Sequence, residues 1–130
     1  MDEKDIEHLI NTLSAADAVV CYASSFAVDA AYFDVPIITI GFETRKNILY
    51  AKRATLHYRF EHYRKILNLN ATSHVHTPSE LASELRAALS ERGAKKTERK
   101  ALAKDQLHFL DGTSGKRIAE RVLGVLRAGS

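Results

Sequence analysis

Residues 17–42 read Asp-Ala-Val-Val-Cys-Tyr-Ala-Ser-Ser-Phe-Ala-Val-Asp-Ala-Ala-Tyr-Phe-Asp-Val-Pro-Ile-Ile-Thr-Ile-Gly-Phe, and the remainder of the chain can be placed around this segment. Residues 18–21 and 37–40 are short apolar runs, typical of strands that are covered on both faces. The alanine-rich residues 26–33 between them favour a short helix, which ends before Pro36 because proline disfavours helical geometry in the preceding residue. A β-α-β unit of this length predicts two parallel strands.

The turn between the first strand and the helix contains Ser24 and Ser25, either of which is a good N-cap. This turn lies at the carboxyl end of a strand and the amino end of a helix. Open α/β sheets bind ligands at such places, and free backbone N–H groups there favour an anionic oxygen. The pattern therefore predicts an anion-binding turn. A purely structural role, in which the serines only cap the helix, is the alternative.

The remaining segments extend this unit to an α/β domain covering residues 1–130. Residues 72–76 alternate as a short third strand, and Thr77-Pro78-Ser79-Glu80 predicts a helix start with a capping box. We read the charged run 91–100 as a solvated turn and helix start. Further helices are predicted at residues 5–13, 78–90, 101–110 and 118–126. The expected fold is Rossmann-like and three-layered: a small parallel sheet of about three strands, flanked by helices, with the C-terminal helices packing back.

Composition narrows the class of protein. With 45% hydrophobic and 27% charged residues, the chain has the composition of an ordinary globular domain. Cys21 is the one cysteine, which excludes a disulfide framework and a cysteine-based metal site. No apolar run approaches the ~20 residues of a membrane span, and no signal peptide is visible, so a cytoplasmic location is expected. The net charge of +3 suits an anionic ligand but is too small to indicate nucleic-acid binding.

Three clusters allow more than one interpretation. His74 and His76 would point to one face of a strand as metal ligands sometimes do, but no carboxylate or cysteine completes a shell, and we predict no metal. Residues 112–117 look like a phosphate loop, but they have two residues between the glycines where that loop has four. We therefore interpret them as the end of one helix and the start of the next. Residues 45–65 mix aromatic and basic side chains, as in binders of single-stranded RNA. An amphipathic segment, with Tyr58, His62 and Ile66 on one helical stripe, explains them equally well.

The segment 17–42 resembles the donor-binding segment of GT-B glycosyltransferases, which runs "aDvvv…Sst…lEAa..g.Pvi.vgf". The nearest group acts on surface polysaccharides and teichoic-acid-like polymers. Three later segments also resemble the family pattern and come in the same order. They are Glu61-His62-Tyr63 before the third strand, Ser73-His-Val-His-Thr-Pro-Ser-Glu-Leu at the strand-to-helix junction, and Phe109-Leu-Asp-Gly leading into Lys116-Arg-Ile-Ala-Glu. The resemblance covers most of the chain.

The resemblance implies a site for a nucleotide diphosphate sugar or a CDP-alcohol donor. The resemblance implies that Ser24, Ser25 and the N–H of Phe26 bind the diphosphate. It also implies that Asp29 hydrogen-bonds the ribose hydroxyls. In addition, Arg45 is expected to contact phosphate and His62 to border the donor. The family binds its donor without an essential metal, and no cofactor is expected. Two positions depart from the family pattern: Asp29 stands where glutamate is usual, and Asp34 stands where glycine is usual.

A complete GT-B enzyme has two Rossmann-like domains, and this chain resembles only the tail half of the donor domain. The acceptor domain and the usual catalytic base have no counterpart here, so no catalytic residue is assigned. The resemblance therefore implies a fragment or split subunit that is inactive alone. We expect an oligomer or a complex with an acceptor-binding domain, any membrane association being through that partner. A non-catalytic α/β protein-interaction module is the alternative.

Overall fold

The computed structural model describes residues 2–44, 49 and 53–128, and within them the chain folds as an α/β domain. The strands are β1 (Val19–Cys21), β2 (Ile37–Ile40) and β3 (Thr72–Val75). The helices are α1 (Glu3–Ala15), α2 (Phe26–Tyr32), α3 (Glu61–Asn68), α4 (Pro78–Ser90), α5 (Lys96–Leu107) and α6 (Ser114–Ala128), with a 3₁₀ helix at Ala54–Arg59.

The three strands form one parallel sheet, as the sequence predicted, and their order is β1-β2-β3. Val19, Ile37 and Thr72 are paired in register, so their side chains share one face of the sheet. Ile38 and Ser73, one residue further along, belong to the opposite face. The central strand β2 is covered on both faces, because Ile37 and Ile38 are both buried.

Helices cover both faces, which gives the predicted three-layer, Rossmann-like arrangement. On the face of Ile37, α2 and α3 contribute to the main core. On the face of Ile38, α4 lies over β2 and β3, and a small cavity of about 100 Å³ remains between them. The buried core residues are Leu13, Val19, Ala27, Val28, Ala30, Ala31, Val35, Ile37, Tyr63, Ile66, Ala71, Leu102 and Ala103.

The C-terminal helices differ in how they pack. Helix α5 packs back on α2, where Ala30 and Ala31 are buried together with Leu102 and Ala103. Alanine side chains allow the two helix backbones to approach closely. Helix α6, in contrast, has no buried residue. None of the helices in the described part of the chain is long and apolar enough to cross a membrane.

Two local predictions are corrected in detail. Thr77 does cap α4 by accepting a hydrogen bond from the Glu80 N–H (3.1 Å). The Glu80 carboxylate, however, accepts from the His76 N–H (2.8 Å), one residue before the N-cap, so the capping box is not closed in the usual way. The expected stripe through Tyr58 and Ile66 is not one helix, because Phe60 is extended and separates the 3₁₀ helix from α3.

An ion pair closes the amino edge of the sheet. Asp34, just before β2, has a left-handed backbone (φ 57°), the conformation that favours the glycine usual in the resembled family. Its carboxylate accepts from Arg99 (2.8 Å) and pairs with Lys96 (3.2 Å). The Arg99 side chain is only 2% exposed and also donates to the Ala94 and Arg92 carbonyls. The run 91–100 is therefore not simply solvated, since its Arg99 belongs to the interior.

Candidate functional site

Three loops meet at the carboxyl edge of the sheet because the three strands are parallel. They follow β1, β2 and β3, respectively, and hydrogen bonds join them. The Tyr22 hydroxyl donates to the Phe42 carbonyl (3.1 Å), which ties the first loop to the second. The Gly41 N–H donates to the Val75 carbonyl (2.7 Å), which ties the second to the third. The predicted ligand-binding edge is thus a connected surface.

The serine turn lies in the first of these loops. The Phe26 N–H donates to the Ser24 hydroxyl oxygen at 3.2 Å, so this N–H already has an acceptor inside the turn. The Ser24 hydroxyl proton has no acceptor within the described residues and remains available to a ligand. Ser25 is the N-cap residue by position, but its exposed side chain makes no capping bond. Its hydroxyl is therefore not needed to hold the helix.

Asp29 lies one helical turn beyond Ser25, so the two side chains share a face of α2. The carboxylate is half-buried, and no side chain or N–H in the described part of the chain donates to it or pairs with it. Burial raises the pKa of Asp29 above its ordinary value, since the charged form loses solvation without gaining a partner. An unpartnered, partly desolvated carboxylate is an unfavourable arrangement that a hydroxyl-bearing ligand would relieve.

The rings of Tyr58 and His74 form a wall on the side of the sheet where α2 lies. The Thr39 hydroxyl and His74 Nδ1 are 3.0 Å apart, and the Tyr58 ring packs on the His74 ring at 4.5 Å. The Tyr58 hydroxyl donates to the Ile40 carbonyl (2.8 Å), just before Gly41. Burial, aided by the neighbouring His76, lowers the pKa of His74, which favours the neutral imidazole.

Sequence reasoning missed this wall as a unit. Thr39 and His74 are direct partners in the β2–β3 register, a relation that could have been found only by aligning the two strands. Burial also raises the pKa of Tyr58, and it raises that of Tyr63 to about 12, so both phenols stay protonated. The wall is therefore uncharged at neutral pH, and its rings are suited to packing against a flat ring.

The imidazole rings of His74 and His76 leave little room for a side chain at Gly41. A Cβ atom at Gly41 would lie 2.7 Å from His74 Nε2 and 3.0 Å from His76 Nδ1. The His74 and His76 rings are close to each other, with centroids 4.7 Å apart and nearly perpendicular planes. No third histidine, cysteine or carboxylate joins them as a metal shell within the described residues.

The structure describes only one of the remaining two predicted site residues, His62. His62 is exposed on α3, stacks on Phe60 (6.0 Å) and lines an open groove of about 480 Å³ between α3 and α5. The His62 ring also meets the Tyr63 ring edge-on, with ring centroids 6.5 Å apart. Arg45 lies outside the described residues. The segment before it is anchored, because the Glu43 carboxylate accepts from the Thr55 N–H (3.0 Å) and hydroxyl (2.7 Å).

Comparison with known proteins adds no family assignment. No protein-family model, no curated protein and no solved structure matches the chain. The similarity to GT-B glycosyltransferases therefore rests on the motifs quoted above, and the functional argument rests on the site itself.

Proposed function

We propose that this chain binds the donor of a glycosyltransferase or related transferase, a nucleotide diphosphate sugar or a CDP-alcohol, at the carboxyl edge of its sheet. The observation that carries the proposal is Asp29, a half-buried carboxylate with a raised pKa and no partner in the described residues, one turn from the serine turn. Ribose hydroxyls would supply the missing donors to this carboxylate.

The serine turn supports the same donor. The free hydroxyl protons of Ser24 and Ser25 can donate to diphosphate oxygens, and the Phe26 N–H joins them if the Ser24 side chain rotates away from it. The amino end of α2 adds a favourable dipole for the anion. The uncharged wall of Tyr58 and His74 is suited to packing against the base or the sugar. Transfer itself requires an acceptor-binding partner, as the resemblance implies, so the proposed role is donor binding.

A thermal-shift panel of UDP, CDP and GDP, each alone and as a sugar or glycerol conjugate, tests the proposal. A ligand that binds only the folded chain raises its Tm by mass action. We expect one base to raise Tm, and Ser25→Ala to weaken that binding about tenfold, since a hydrogen bond to a charged group is lost. Ser25→Ala should leave the Tm of the free protein unchanged, because its hydroxyl makes no capping bond.

The matched control is Ser83→Ala, which removes an exposed hydroxyl from α4. It should leave both the Tm and the nucleotide affinity unchanged. Absence of a shift with every nucleotide, at concentrations up to the millimolar range, would contradict donor binding by this chain. An equal loss of affinity in Ser83→Ala and Ser25→Ala would contradict the assignment to the serine turn.

A further inference from the structure

Helix α6 carries an apolar stripe that the body of the protein does not cover. The stripe consists of residues at helical spacing that share one side of the helix, and each is about half to two-thirds exposed. They are Ile118 (66%), Val122 (53%), Leu123 (49%), Val125 (60%) and Leu126 (63%). Together they offer on the order of 500 Å² of apolar surface, the size of the largest apolar patch on a typical monomer, which is often functional.

Cationic side chains border this stripe on both sides. Arg127 lies four residues after Leu123, and Arg121 lies four residues before Val125, so each flanks the stripe along the helix. Neither has an acidic partner among residues 2–44, 49 and 53–128. The helix has four basic residues and only one acidic residue, Glu120, which pairs weakly with Lys116 (3.9 Å).

The start of α6 is fixed to the chain that precedes it. Arg117 pairs with Asp111, and its guanidinium lies 3.9 Å from the centre of the Phe109 ring. Phe109 (59% exposed) and Leu110 (44% exposed) add apolar surface next to the first turn of the helix. These contacts hold the first turn of α6 against residues 109–111.

We propose that α6 is a membrane-surface helix, which lies flat on an anionic lipid bilayer with its stripe in the acyl boundary and its cations among the phosphates. With four basic residues and one acidic residue, α6 carries a net positive charge that complements an anionic surface. A basic border around an apolar face fits the headgroup region, where arginine side chains reach up to the phosphates. At 15 residues, α6 is too short to cross the ~30 Å hydrocarbon core.

Sedimentation of the full chain with vesicles tests this directly. We expect binding to vesicles of phosphatidylcholine mixed with phosphatidylglycerol, and far weaker binding to phosphatidylcholine alone. The double variant Arg121→Gln/Arg127→Gln should weaken binding roughly 30-fold at low salt, or fivefold per cation. The variant Val122→Asp/Val125→Asp should abolish binding, while circular dichroism should show an unchanged helix content, since both positions are exposed.

Two controls separate the stripe from general surface effects. Leu89→Asp places an acidic group at an exposed apolar position of α4 (57%), and Lys100→Gln/Lys104→Gln removes two exposed cations of α5. The first should keep full binding and the second should lose far less than the Arg121/Arg127 pair. Absence of binding to anionic vesicles overturns the proposal. A soluble dimer that Val122→Asp/Val125→Asp converts to a monomer, without vesicle binding, assigns the stripe to a protein interface and also overturns it. Neither result depends on nucleotide binding.

Discussion

Asp29 and Asp34 lie at opposite edges of the same sheet, and their surroundings are opposite too. At the amino edge, Asp34 is paired with the buried Arg99 and with Lys96. Burial alone would raise the pKa of Asp34, but the two cations outweigh it and lower the pKa. At the carboxyl edge, no cation among the described residues pairs with Asp29, and burial raises its pKa. The carboxylate at the amino edge is therefore paired within the protein, whereas the carboxylate at the carboxyl edge is open to a ligand.

The comparison also explains the two departures from the resembled family. The usual glycine before the second strand suits the left-handed backbone at Asp34, and aspartate is among the few other residues that tolerate it. The aspartate then provides the partner that the buried Arg99 requires. At Asp29 the departure is only one methylene group, and its carboxylate has no partner in the part of the chain that the structure describes. The first departure therefore has a structural explanation, and the second is consistent with a ligand contact.

The largest expected effect is at Asp34. Asp34→Asn keeps a side chain that tolerates the left-handed backbone but leaves Arg99 as a buried charge without a carboxylate. We expect a loss of about 3 kcal/mol in the free energy of unfolding, measured with urea. The control is Asp17→Asn, which breaks an exposed pair with Arg92 (3.1 Å) and should cost no more than ~0.5 kcal/mol. Equal effects of the two variants would show that the burial of Arg99 adds nothing to its pair with Asp34.

The second effect concerns the carboxyl edge. Gly41→Ala would place a methyl group 2.7 Å from His74 Nε2, and His74 is held by Thr39 and Tyr58. We expect a loss of about 1–3 kcal/mol in unfolding free energy, the usual range for overpacking. Gly124→Ala, where a Cβ meets nothing within 4 Å, is the control and should be neutral or slightly stabilising. A neutral Gly41→Ala would show that the ring wall is loosely held.

The third prediction concerns Asp29→Asn, which should raise the stability of the protein and lower its affinity for the nucleotide. Asp29→Asn removes a partly desolvated charge, so it should raise the unfolding free energy slightly, by no more than ~0.5 kcal/mol. It should also weaken nucleotide binding, because the ribose contact is lost. Urea unfolding measures the change in stability, and calorimetric titration with the nucleotide found in the thermal-shift panel measures the change in affinity. Asp105→Asn, at an exposed site on α5, is the control. A variant that is less stable than the wild type would show that Asp29 has a structural role.

The smallest effect is a difference in pH dependence. The lowered pKa of Asp34 contributes stability above its ordinary value of 3.8, and this is lost as the pH falls through the folded-state pKa. The raised pKa of Asp29 works the other way, because its penalty applies above its folded-state pKa and disappears below 3.8. Acidification should therefore shrink the deficit of Asp34→Asn and also the gain of Asp29→Asn. Unfolding curves between pH 6 and pH 3 measure both, and a deficit that grows on acidification would reverse the assignment for Asp34.

What could be predicted from the sequence was local. The strands, α2 and the Thr77 cap follow from patterns within a few residues, and Ser25 and Asp29 share a face because they are one helical turn apart. The burial of Arg99 could not be predicted, since long cations are rarely buried and its partner is 65 residues away. The contact of Thr39 with His74 required the strand register. Helical spacing in α6 showed that its face is apolar, but not that the face would remain exposed.

The ion pair at the amino edge also bears on how the chain is made. Asp34 and Arg99 are separated by 65 residues, so at ~5–20 residues per second of synthesis the arginine follows the aspartate by roughly 3–13 s. Over that interval the β1-α2-β2 unit exists with its alanine face uncovered and its left-handed aspartate without Arg99. The nascent domain cannot finish folding until α5 is translated. A pause or truncation between residues 40 and 95 would therefore present this unit to chaperones and proteases.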